Sequence, residues 1–179
     1  PGKYVAYWER EDGAWRVAVY RRVGRPAGDV SLEERVPALP PRLVAPARDA
    51  SAHRRLVEEL AQVERDFSRD ANGGPTIGAA FARYGDATAA NVGNGASFTF
   101  GPDAISRDVQ AGVDSTTRIT WGPDETRVAS SGDVGVTIGI ITIERTAKAG
   151  TAPTPPIRLP YFTIWRRDDV KHPWRYVAE

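Results

Sequence analysis

From residue 51 onward the apolar positions of the chain fall into a readable order. Leu56, Leu60, Val63 and Phe67 recur at spacings of four, three and four, with Glu58, Glu59, Arg65, Asp66 and Arg69 among them. This is the stripe of an amphipathic helix, apolar toward a core and charged toward water. Ser51 is placed to cap its start, and Asn72-Gly73-Gly74 ends it. Pro75 opens a second, shorter helix with Ile77, Ala80, Phe81 and Tyr84 on one side. Gly93, Gly95 and Gly101 punctuate a short strand at 97–100, and Gly101-Pro102-Asp103 starts a third short helix with Ile105 and Val109 inward. From Arg118 the period drops to two, the signature of strands. The segments are 118–121, 126–130, 134–144, 157–166 and 174–178, with turns at Gly122-Pro123-Asp124, at Gly132-Asp133 and at 151–156. Helices followed by a run of long antiparallel strands predict an α+β domain, its helices packed on one face of the sheet.

The first residues alternate as well. Tyr4, Ala6 and Trp8 face one way and Val5, Tyr7 and Glu9 the other; Trp15, Val17 and Val19 continue after Asp12-Gly13. That dipeptide between alternating runs is a strong hairpin signal. The same pattern returns at the far end. Tyr4, Trp8, Arg10, Asp12, Trp15 and Arg16 recur in order as Tyr161, Trp165, Arg167, Asp169, Trp174 and Arg175, with a turn longer by two residues. A chance match is the weaker reading, and a tandem duplication the stronger. Between the copies lies VPALPPRLVAP, residues 36–46, whose four prolines exclude a helix or a central strand. The organisation read from this is a hairpin over 1–30, a Pro-rich linker over 31–50 and a complete domain over 51–179.

Composition narrows the chemistry. A net charge of +1 gives no nucleic-acid footprint. There is no cysteine, so disulfides, thiol catalysis and zinc–thiolate sites are excluded. No apolar run is long enough to span a membrane. Arg-rich, Ala- and Gly-rich usage points to a GC-rich bacterial source, with the compartment open. No Met occurs and the chain opens Pro-Gly, which reads as a processed or trimmed start.

Four motifs carry a resemblance: FARYGDATAA, FTFGPDAI, ITWGPDETRVASSGDVGVTIG and YFTIWRRDD…WRYVAE. In this order they resemble the nuclear transport factor two-like superfamily, also called SnoaL-like or ketosteroid-isomerase-like, and most closely its bacterial branch without assigned activity. The resemblance implies a cystatin-like cone: a strongly curved antiparallel sheet packed against a long N-terminal helix and two shorter ones, with an apolar pocket in its mouth. It also makes residues 3–23 look like the last hairpin of a preceding domain of the same family. Enzymes of the superfamily use a pocket carboxylate or a His–Asp pair, sometimes with a Tyr. Its steroid-isomerase-like members place a catalytic Asp in a segment resembling 86–92, where this chain has Asn91. Asn cannot abstract a proton.

The catalytic candidates are therefore few. Asp133 sits at the mouth of a long strand, where Gly-Asp also makes a good turn. Asn91 and Tyr161 could polarise a carbonyl. His53, in the first turn of a helix, and His172, beside Pro173 in a turn, are too far apart for a dyad, and they make a metal site unexpected. No cofactor is expected. Gly135 and Gly139 share a strand face, either to bend it or be covered by a ring, or to leave room for a ligand. The expected cavity lies between the first helix and the concave face of the sheet, lined from among Phe67, Phe81, Tyr84, Phe98, Trp121, Gly135 and Tyr161. Two classes follow. The first is a small-molecule-binding or accessory domain for an apolar ligand. The second is an isomerase, dehydratase or cyclase with Asp133 as acid–base group. Association with a second copy, or with a preceding domain of the same family, is expected for the apolar hairpin, because an isolated two-stranded ribbon is marginal in water.

Overall fold

The computed structural model of the chain describes residues 1–28, 45–46, 49–93, 95–147 and 154–179. The linker read over 31–50 lies outside the described residues except for 45, 46, 49 and 50, as do residues 151–153 of the Pro-rich turn. Two strands come first, β1 (Gly2–Glu11) and β2 (Ala14–Gly24). Then follow α1 (Ala50–Gly73), α2 (Ile77–Tyr84), β3 (Gly85–Asn91), β4 (Thr99–Phe100), α3 (Pro102–Ala111), β5 (Thr117–Val128), β6 (Val134–Arg145), β7 (Ile157–Arg166) and β8 (Arg175–Ala178). The class is α+β, with three helices against a sheet of six strands in the order β4-β3-β8-β7-β6-β5.

Two expectations need correcting. The sheet is mixed, because β3 and β8 run parallel while the other pairs are antiparallel. β8 closes the chain and reaches β3 from far away in sequence, so no tight turn forces the two to oppose. The long helix is also not N-terminal in this chain, since it starts at Ala50 behind the hairpin.

Local chemistry explains the element boundaries. The Asp49 carboxylate, not Ser51, caps α1, accepting from the backbone N–H of Ser51 at 3.0 Å and of Ala52 at 3.2 Å. Such a cap stabilises a helix by about 1 kcal/mol. Thr76 caps α2 through Ala79 N–H at 3.1 Å, leaving Pro75 just outside the helix. Gly122-Pro123 does not turn. β5 runs straight through it with a bulge between Pro123 and Glu125. Opposite that bulge, a Cβ on Gly139 would lie 2.1 Å from the Gly122 carbonyl oxygen, so only glycine lets the two strands meet there.

Phe67 of α1 is the hub of the core. The rings of Phe81, Tyr84, Trp121, Tyr176 and Trp165 stand around it with centroids 4.9, 4.9, 5.0, 5.8 and 6.1 Å away. Aromatic pairs at such distances add about 0.5–1.5 kcal/mol each beyond the area they bury.

The hairpin turns at Asp12 and Gly13, both with positive φ (49° and 83°), the pair of angles that matches the twist of its strands. Its inner side packs on the sheet face that points away from α1. Val5, Tyr7, Ala18 and Val19 meet Val134, Val136, Ile138, Phe162 and Ile164. Two polar contacts fix the ribbon. Glu9 pairs with Arg127 at 2.9 Å. The buried Lys3 ammonium donates to the carbonyls of Val92, of Gly93 at 3.2 Å, of Gly95 at 2.7 Å and of Ser97 at 2.9 Å.

Candidate functional site

A cavity of about 310 Å³ opens on the helix-facing side of the sheet. Its apolar wall comes from Ile77 and Phe81 of α2, Val109 of α3, Val113, Ile119 of β5, and Ile141 and Ile143 of β6. Its polar groups come from Asn91, Trp121, Tyr161, Thr163 and Glu179, from Arg21 of the hairpin, and from Asp108 of α3, whose carboxylate accepts from the Thr99 hydroxyl at 2.6 Å. No residue of α1 lines it. The cavity thus differs in place from the expected one. The space between α1 and the sheet is filled by the fully buried Leu60, Glu64 and Phe67, and the hollow is displaced toward α2 and α3.

The expected residues separate accordingly. Phe81, Trp121, Tyr161 and Asn91 come together in the cavity wall. Phe67 and Tyr84 belong to the solid core, and the Tyr84 hydroxyl donates to Asp70 at 2.9 Å. Phe98 packs beside Phe100, 5.8 Å from the Lys3 ammonium. Gly135 leaves no room for a ligand: a Cβ there would lie 2.6 Å from a Leu60 methyl. Gly139 is covered by the Tyr161 ring, 2.9 Å from an added Cβ. Asp133 stands in the turn before β6, where it accepts from the Ser131 hydroxyl, and it does not line the cavity. His172 pairs with Asp169 at 2.9 Å in an exposed turn, and neither it nor His53 lines the cavity. Among the described residues no cluster of three or more His, Asp or Glu is arranged to hold a metal ion.

Three groups give the site its electrostatics. Burial, then the charges of Glu64 and Asp124, push the Tyr161 hydroxyl far above its usual range, so it keeps its proton. That hydroxyl is buried and has no hydrogen-bond partner among the described residues. Burial likewise pushes the Glu179 carboxyl up to about 7, against the opposing hydrogen bond from Asn91 and the charge of Arg21, with Glu64 adding to the rise. Asn91 Nδ2 donates to Glu179 at 2.8 Å, and Asn91 Oδ1 accepts from Gly93 N–H at 2.6 Å, which sets the amide's orientation. The third group lies one layer behind. Glu64 accepts from Trp121 Nε1 at 2.5 Å, from Trp165 Nε1 at 2.9 Å and from the Thr137 hydroxyl. Burial raises this carboxyl and the three donors oppose the rise. The Trp121 indole, whose ring reaches the cavity, is thereby held in one rotamer.

Glu179, Thr163 and Arg21 escaped the sequence reading. Thr163 alternates with Tyr161 on β7, so strand periodicity could have found it. Glu179 reaches the cavity only because Val92 and Ala90 bond its backbone at 3.0 and 3.2 Å alongside β3, a pairing without a local signal.

No family model matches this chain, and neither does any curated protein sequence. Solved structures do match in fold. One is an NTF2-like protein with a cystatin-like fold from Novosphingobium aromaticivorans, at 18% identity and a TM-score of 0.53, covering 73% of this chain and 87% of that chain. Another, from Catenulispora acidiphila and in complex with S-DNPA, matches at 12% identity and a TM-score of 0.52, covering 70% of this chain and 90% of that one. A candidate dehydratase of the NTF2-like family from Streptomyces avermitilis matches at 14% identity and a TM-score of 0.53, covering 70% and 94%. Residues of the hollow just described thus sit in the cystatin-like fold of the nuclear transport factor two-like proteins.

Proposed function

We propose that this chain is a small-molecule-binding domain, and that its ligand is a compact apolar compound carrying a carbonyl group. The finer form of the fold belongs to this reading: a cone whose curved sheet leaves the cavity at its mouth. The observation that carries the reading is the Tyr161 side chain in the wall of a mainly apolar cavity, its hydroxyl buried without a partner among the described residues. An unmatched buried hydroxyl costs about 1–3 kcal/mol, and a ligand oxygen that accepts from it removes that cost. A volume of about 310 Å³ lies at the small end of ligand pockets and suits a compound of one or two rings. The complex of the Catenulispora protein with S-DNPA supports the reading by fold-level analogy.

A second reading has its own observation. Glu179, with a carboxyl pushed up to about 7, can both take and give a proton near neutral pH. In the enzyme reading it replaces Asp133 as acid–base group, with Tyr161 as the donor to a developing oxyanion.

One set of titrations separates the two. 2-Acetylnaphthalene is added to the chain and tryptophan fluorescence followed. Saturable quenching is expected, abolished in Ile141→Trp, which fills the cavity, and weakened about two- to tenfold in Tyr161→Phe, which removes one hydrogen bond. Unchanged binding in Ile141→Trp overturns the site. In D₂O, exchange of the ketone's methyl protons that disappears in Glu179→Gln supports the enzyme reading. Binding without exchange removes it.

A further inference from the structure

The outer face of the hairpin has no cover among the described residues. Tyr4, Trp8 and Trp15 are 64%, 53% and 66% exposed, whereas their repeat counterparts Tyr161, Trp165 and Trp174 are 5%, 0% and 3% exposed. Contiguous exposed aromatic surface of this kind marks an interaction site. The two hairpins also agree in register. Trp8 faces Val17 across the first ribbon, as Trp165 faces Tyr176 across the second, and Val17 and Tyr176 both stand two residues after the matched Trp. Arg10 faces Trp15, and its counterpart Arg167 stacks on Trp174 at 4.2 Å. The matched positions of the two faces are therefore equivalent, and among the described residues only one of the faces is occupied.

The occupied face states what fits. Against Trp165 and Arg167 lies α1. Phe67 meets the Trp165 ring edge-on at 6.1 Å, Glu64 accepts from its indole at 2.9 Å, and Glu59 takes the Arg167 guanidinium through two bonds at 2.7 and 3.3 Å. On the hairpin, the exposed Arg10 has among the described residues only the Gly13 carbonyl, at 3.3 Å. An arginine beside an uncovered tryptophan calls for a carboxylate and an apolar ring in the same relation, and a helix carrying Glu, Glu and Phe at the spacing of α1 supplies both.

From this we infer that the Tyr4/Trp8/Arg10/Trp15 face docks an amphipathic helix of the α1 kind, carried by a unit of this same fold that precedes the hairpin in the polypeptide. The hairpin then belongs to two bodies at once. One face closes the preceding unit on its helix, and the other clamps that unit to this domain, through Tyr7 on the back of the β6–β7 sheet and through Lys3 on the carbonyls that follow β3.

The test uses the 179-residue chain and a synthetic peptide of the α1 sequence, Ala50–Gly73, as surrogate for the upstream helix. The indole N–H signals of Trp8 and Trp15 are followed by NMR during titration. A saturable shift confined to those two signals, with half-saturation below about 1 mM, is expected. It should weaken at least tenfold or so in Trp8→Ala and in Arg10→Ala, and with a peptide in which Glu59, Glu64 and Phe67 are Ala. Melting temperatures of both chain variants should stay at the parent value, because the two residues are exposed. No saturable shift overturns the proposal. Equal binding of the Ala-substituted peptide overturns it too. So does concentration-dependent self-association of the chain that broadens the same two signals, since the occupant is then a second copy.

Discussion

Two hairpins of nearly the same spelling lead opposite lives in this molecule. β7–β8 is central to the six-stranded sheet; its Trp165 and Arg167 are buried against α1, and its Tyr161 and Trp174 are buried as well. β1–β2 forms its own two-stranded sheet, pairs with no other strand among the described residues, and turns the matching side chains to water. Its opposite edge of the alternation, Val5 and Tyr7, does the packing instead. The lesson concerns the limits of periodicity. Alternation says that a strand has two faces, but what lies against each face decides which is core.

The sharpest way to break the comparison is to remove the paired tryptophans. Trp165→Ala empties the centre of the core and strands Glu64, so a loss of about 3–5 kcal/mol in urea-unfolding free energy is expected. Trp8→Ala should change it by no more than about 0.5 kcal/mol, as surface substitutions do. Comparable losses would mean that the hairpin's outer face is buried in solution.

The arginines come next. Arg167 is buried, bonds Glu59 and the Gly132 carbonyl (2.7 Å), and stacks on Trp174. Arg167→Ala is expected to cost about 2–3 kcal/mol, since charge-assisted bonds are lost and a buried carbonyl is left unmatched. Arg10→Ala removes one long exposed contact and should register near zero in the same unfolding curves.

Lys3 probes the other side of the ribbon. Lys3→Met keeps the aliphatic stem but deprives the carbonyls of Val92, Gly93, Gly95 and Ser97 of their shared donor. A loss of about 1–2 kcal/mol follows from leaving such acceptors poorly matched. Faster hydrogen exchange should be confined to the β1–β2 amides and the 92–98 loop. Protection unchanged at those amides would show that apolar packing alone holds the ribbon.

Much of this architecture was legible in the chain, and the reasons for the rest are physical. The α1 stripe and the long strands β6 and β7 were read with nearly their observed bounds, because each buries one continuous face. β3 was missed: GDATAAN has little intrinsic strand preference, and it becomes a strand through β8, the most distant partner available. The bulge at Pro123 was read as a turn, since Gly-Pro-Asp carries turn chemistry whatever its partner strand does. At the site, Tyr161, Trp121, Phe81 and Asn91 could be named from the sequence, but Glu179 and Arg21 could not. One is brought in by a parallel pairing and the other by a hairpin folded onto the back of the sheet. Glu64 was not singled out: a carboxylate among the charged residues of an amphipathic helix gives no sign that it lies fully buried among two indoles and a threonine.

The smallest expected effect joins the two regions. Arg21 of the first hairpin reaches the cavity and lowers the Glu179 carboxyl, while burial and Glu64 raise it to about 7. The sign of the pH dependence follows. The unfolded chain releases this proton near the ordinary 4.5, and the folded chain holds it up to about 7, so the folded state binds more protons between those values. Stability is therefore fully present below the lower value and is lost as pH rises through the upper one. Glu64, also raised by burial, contributes with the same sign. Arg21→Ala removes the opposing charge, so the Glu179 titration should move further upward, by less than about one unit for a single charge at a partly solvated rim. Carbon-detected NMR of the glutamate carboxyls reads that shift directly, and Glu179→Gln identifies the signal. Melting temperatures across the same range should fall at slightly higher pH in Arg21→Ala and lose this step in Glu179→Gln. A Glu179 titration that ignores Arg21 would leave the hairpin coupled to the cavity only by packing. A downward shift would mean that the Arg21 side chain acts on the carboxyl more by excluding water from it than by its charge.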